Sequence, residues 1–83
     1  MITVKNMISQ KGRTADYCLF SLKCEKCLRF AIYVCNGEDS AMEMLECSEE
    51  QARELFNNIV SGEISVEHLS DIVDDHRHAA FLF

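Results

Sequence analysis

Two cysteines three residues apart, in Cys24-Glu25-Lys26-Cys27, are the residues most suggestive of chemistry. The C-x-x-C spacing can supply half of a zinc site, or a dithiol that cycles with its disulfide. A tetrahedral zinc ion needs two more ligands. Cys18, Cys35, Cys47, His68, His76 and His78 are the nominal donors, and none of them forms a second correctly spaced pair. His76 and His78 are two apart, so on a helix they diverge. A thioredoxin-like role requires the motif at a helix start in a βαβ unit, and the surrounding sequence reads as strands. The plainer reading makes Glu25-Lys26 a two-residue hairpin turn that sets Cys24 opposite Cys27. No cofactor is expected, and Cys24 and Cys27 are the only metal candidates worth naming. An odd count of five cysteines argues against a disulfide framework, leaving reduced thiols as the default.

The carboxylates form the second group. Asp71, Asp74 and Asp75 fall at i, i+3 and i+4, so a helix carries them on one side, with Glu67 one turn before Asp71. No EF-hand spacing and no glycine-rich phosphate loop accompanies them. Either they are a solvated helix face, or they dock on a basic partner surface, where complementary charge speeds encounter and sets register. A nucleophile needs an oriented base, and the sequence contains no recognisable arrangement of that kind. His68 is read as packing on the sheet or bonding nearby backbone, so the expectation is a protein without enzymatic activity.

Charge is unevenly distributed. Residues 1–36 hold six basic side chains and two acidic ones, and residues 37–83 hold twelve acidic ones against Arg53 and Arg77; the whole chain carries −6. The second half would repel phosphate, so direct nucleic-acid binding is not expected. Eighty-three residues with 48% hydrophobic content and no proline make one globular domain. No apolar run approaches the roughly 18 residues of a membrane span. The opening residues also lack the apolar stretch of a signal peptide, so the expected location is cytoplasmic.

The elements that must position these groups can be read from periodicity. Ile2, Val4 and Ile8 recur at even positions, with Asn6 and Met7 breaking the alternation. Ala15–Lys23, Leu28–Cys35 and Ala41–Glu46 are short, apolar and bounded by turn residues, as strands are. In Leu28–Cys35, alternation puts Leu28, Phe30, Ile32 and Val34 on one face and Arg29, Ala31, Tyr33 and Cys35 on the other. Gln10-Lys11-Gly12-Arg13 and Asn36-Gly37 read as turns. The pattern then switches to helical period. Ser48 and Gln51 form a capping-box pair, and Ala52, Leu55, Phe56, Ile59 and Val60 make one apolar stripe that ends at Gly62. Ser65 can cap a second helix with a stripe of Leu69, Ile72 and Val73. The expected fold is α+β: an antiparallel meander of three to four strands in residues 1–47, then two helices in residues 48–78 packed on one sheet face.

Residues 79–83, Ala79-Ala80-Phe81-Leu82-Phe83, form an apolar C-terminal tail. Phe81, Leu82 and Phe83 are expected either to fold back on the core or to fill a groove on a second subunit.

The strand Asp16-Tyr17-Cys18-Leu19-Phe20, the capped helix Ser48-Glu49-Glu50-Gln51-Ala52 and the run His68-Leu69-Ser70-Asp71-Ile72-Val73-Asp74-Asp75 together resemble a family of short Firmicute proteins known as a domain of unknown function. Cys18 stands where that family tends to have glycine, and the cysteine hairpin lies outside its pattern. The resemblance implies a bacterial or phage origin and strands followed by helices; it implies no activity. Charge layout and fold together favour a small acidic protein-interaction module. Its sharper form is a regulator or inhibitor of phage anti-defence type, docking on the basic surface of a nucleic-acid-binding protein. The alternatives are a small zinc protein using Cys24 and Cys27, or a structural homodimer formed through the tail or an open sheet edge.

Overall fold

The computed structural model describes the backbone of residues 2–81 and the side chains of residues 2–75. Four strands, β1 (Thr3–Lys11), β2 (Asp16–Lys23), β3 (Leu28–Cys35) and β4 (Ser40–Leu45), precede α1 (Glu49–Ser61) and α2 (Leu69–Phe81). The strands form one antiparallel sheet in the order β1-β2-β3-β4, a meander as expected.

Each interruption has a local cause. The broken alternation at Asn6 and Met7 becomes a β-bulge, because the pairing slips between Asn6 opposite Phe20 and Ile8 opposite Leu19. The β2–β3 connection is the two-residue turn read from the sequence, closed by the Cys24 amide donating to the Cys27 carbonyl at 3.0 Å. The β3–β4 loop is the turn read at Asn36-Gly37, and the two residues serve it differently. Gly37 takes a positive φ, 95°. Asn36 contributes its side chain instead: its Oδ1 accepts from the amides of Glu38 and Asp39 at 3.0 and 2.7 Å.

The capping box at the start of α1 is complete. The Gln51 amide donates to Ser48 Oγ, and the Ser48 amide donates to Gln51 Oε1, each at 3.2 Å. The other end of α1 stops at Gly62, as the sequence suggests, but the left-handed turn falls one residue later. Gly62 terminates the helix with φ −83°, an ordinary helical value, and the left-handed residue is Glu63 at φ 49°. The amides of Glu63 and Ile64 reach back to the carbonyls of Val60 and Ile59, both at 3.1 Å, which is the Schellman pattern with Glu63 at the position glycine usually fills. Ser65 also differs from its reading: it precedes a 3-10 turn at Val66–His68, its side chain makes no capping hydrogen bond, and α2 begins only at Leu69.

The helical stripes cover one sheet face. Tyr17, Leu19, Phe30, Ile32, Val34 and Leu45 from the sheet meet Ala52, Leu55, Phe56, Ile59, Leu69 and Val73 from the helices in a single buried core. The sheet supplies Leu45 rather than the two methionines of β4, because the register sets Leu45 opposite Phe30 and Met44 opposite Ala31. Half-buried Glu43 shares the covered face, opposite Ile32. The Cα atoms span 37 × 32 × 18 Å, and the short dimension holds one sheet and one layer of helices. Among the described residues, no layer therefore lies over the opposite sheet face.

Candidate functional site

The carboxylates singled out from the sequence lie where helical period puts them. Glu67, in the 3-10 turn, and Asp71, Asp74 and Asp75, in α2, are all exposed. Leu69 and Val73 on the opposite side of the same segment are fully buried against the sheet. The apolar stripe thus fixes the rotation of α2 and turns its carboxylates outward. His68 is exposed beside them. The side chains of His76 and His78, and the proposed docking residues Phe81, Leu82 and Phe83, lie outside the described side chains; backbone helix continues through residues 79–81.

A long-range polar contact ties the chain just before these acids to the sheet. The Tyr17 hydroxyl, on β2, donates to the Ile64 carbonyl at 3.0 Å. The ring is buried to within 1% of its surface, and Gly12 lies against it so closely that a Cβ there would meet Tyr17 Cε2 at 2.8 Å and the Ala15 carbonyl at 2.9 Å. Burial pushes the Tyr17 phenol above its ordinary range, and the negative charge of Glu63 adds to the shift. Nothing in local sequence signals this contact, because its ends are 47 residues apart.

Cys24 and Cys27 form a disulfide across the β2–β3 turn, with Cα atoms 5.4 Å apart. This replaces the expectation of reduced thiols at these two positions. The antiparallel turn brings them opposite each other, the separation a disulfide requires. So paired, neither sulfur is a thiolate able to bind zinc. Cys18, Cys35 and Cys47 are free and half-buried. Burial raises the Cys47 thiol above its usual range, which lowers its reactive thiolate fraction. Among the described residues, no group of three or more His, Cys, Asp and Glu side chains comes together in a way that could hold a metal ion.

The feature that the sequence reading missed is the uncovered sheet face. Val4, Phe20, Leu22, Ala31, Tyr33 and Met42 line an open depression of about 360 Å³ whose walls are all apolar or aromatic side chains. A second depression of about 250 Å³ adjoins it, lined by Ile2, Leu22, Cys24, Cys27, Arg29 and Met44. Ile2, Val4 and Met42 keep 65%, 60% and 57% of their surface exposed. The signal was present in β2, where Cys18, Phe20 and Leu22 alternate with Tyr17 and Leu19, so both faces are apolar. Among the described residues, no helix is long and apolar enough to cross a membrane.

Compared with known proteins, the chain matches no family model, no curated protein and no solved structure. The resemblance drawn from the sequence gains no support from these comparisons, and a functional reading must rest on the geometry of this chain.

Proposed function

We propose that this chain is a non-enzymatic protein-interaction module that docks on a basic protein surface through Glu67, Asp71, Asp74 and Asp75. The observation that carries the reading is the outward placement of all four carboxylates on a segment whose other side is sealed into the core. Carboxylates fixed on a helix present negative charge in a set register, which steers a cationic partner and selects against an anionic one. A nucleic-acid-binding protein offers such a cationic surface, so the sharper form of the proposal is a regulator or inhibitor that competes with phosphate for that surface.

The test is affinity capture from the native host with the immobilised chain, at low and at moderate salt, followed by mass spectrometry. A partner captured at low salt, weakened by added salt and lost when Asp71, Asp74 and Asp75 are all changed to Asn, supports the reading. Capture that is indifferent to both salt and substitution refutes it, because an electrostatic contact between exposed charges must be screened.

A further inference from the structure

We propose that the uncovered face of the sheet is a two-fold interface with a second copy of this chain, sheet packed against sheet. The inference is independent of the acidic surface, which lies on the other side of the molecule.

Register and pleat place Ile2 and Val4 of the β1 segment, Phe20 and Leu22 of β2, Ala31 and Tyr33 of β3, and Met42 and Met44 of β4 on this face. Contiguous apolar surface of this kind marks an association site when it is large and rimmed by polar groups. The polar rim is present, and part of it is internally bonded. On the β1 side, the Asn6 side-chain amide donates to Ser9 Oγ at 2.8 Å, and Ser9 Oγ lies 3.6 Å from Cys18 Sγ. Covering the Asn6 side-chain N–H and the Ser9 hydroxyl adds little cost, because each already has a partner.

Charge identifies the occupant. The same register puts four charged residues on this face. Lys11 and Asp16 are cross-strand partners at one end. Arg29 and Glu46 form an ion pair of 3.1 Å at the other. Each end carries one cation and one anion, so the face is neutral within a chain whose formal net charge is −6. A second copy can therefore approach this face without like-charge repulsion at either end, whichever end meets which. The helical side, dense in carboxylates, repels its own copy. An isologous contact needs a surface compatible with itself, and this is the face that qualifies.

The area is sufficient. Four strands of about eight residues cover roughly 20 by 26 Å, on the order of 500 Å² in projection for each copy, so the pair buries about 1,000 Å² or more, the threshold for a specific interface. Two sheets so packed make a sandwich with helices on both outer faces, an arrangement in which every apolar face is covered.

The experiment is sedimentation equilibrium of the full chain, with Met42→Glu and, separately, Val4→Lys. The wild-type chain should sediment at twice the 9.5 kDa of the monomer. Each substitution should raise the dissociation constant by about 100-fold or more, because the symmetric contact buries the new charge twice. Far-UV circular dichroism should stay unchanged, since both side chains are largely exposed in the single chain. A wild-type chain that stays monomeric at about 0.5 mM overturns the proposal. A dimer that survives both substitutions overturns it too, and assigns association to a sheet edge or the C-terminal residues. A monomer that captures a different protein, lost in Met42→Glu, assigns the face to that protein instead. Should one variant fail to fold, the wild-type mass and the other variant decide.

Discussion

Replacing Tyr17 with Phe removes one hydroxyl and leaves the buried ring in place. The lost interaction is the hydrogen bond to the Ile64 carbonyl at 3.0 Å. Ile64 is half-exposed, so water can partly replace the donor and the carbonyl is not left wholly unsatisfied. The cost is then that of one ordinary hydrogen bond, about 1 kcal/mol. In a domain of this size, about 1 kcal/mol lowers the melting temperature by roughly 4–8 °C. Thermal and urea unfolding followed by circular dichroism measure it directly.

The same variant has a pH signature. Burial and the charge of Glu63 raise the Tyr17 pKa in the folded chain, so the folded state holds its proton to higher pH than the unfolded state. Below the unfolded value of about 10, both states are protonated and the full stability is present; above it the unfolded state alone begins to ionise. Stability is therefore lost as pH rises from there through the folded pKa. Tyr17→Phe removes this component, so its deficit relative to wild type should shrink at high pH. All other groups are common to both proteins and cancel in the difference. A variant that melts within about 1 °C of wild type, or curves that stay parallel above pH ~10, would refute the reasoning.

Two further substitutions probe the backbone. Gly12→Ala pushes a methyl group into the Tyr17 ring and the Ala15 carbonyl, and should destabilise by about 1–3 kcal/mol in the same urea assay. Glu63→Gly relieves a left-handed backbone that a side chain disfavours, and should stabilise by about 0.5–1 kcal/mol. Glu63→Gln keeps the Cβ, so any gain it shows reports charge instead of backbone.

Much of the fold was legible because its signals are local. β3 is bounded as read, since its apolar run ends at turn residues on both sides. The bulge sits where alternation failed, and the capping box formed from the two side chains that named it. The exposed acids followed from the stripe that opposes them. What stayed hidden depends on tertiary arrangement. Periodicity shows that β2 is apolar on both faces, yet not which face the helices reach. The helix stops at Gly62 as residue type suggested, yet the left-handed turn that the hydrogen bonds to Ile59 and Val60 require falls one residue later, at Glu63. The Cys24–Cys27 pair followed the hairpin geometry rather than the cysteine count. Tyr17 and Ile64 meet only because the sheet and the inter-helix segment stack.

Strand order equal to sequence order has a consequence for synthesis. Each strand needs only the one before it, so the sheet can assemble while the helices are still being made. At that stage both of its faces are bare, and every nascent chain offers two sticky surfaces to its neighbours on a polysome. Emergence of residues 49–81 protects one of them. The other stays open to neighbouring chains after synthesis ends, so under the proposed pairing local crowding of nascent copies is the setting in which it finds a match.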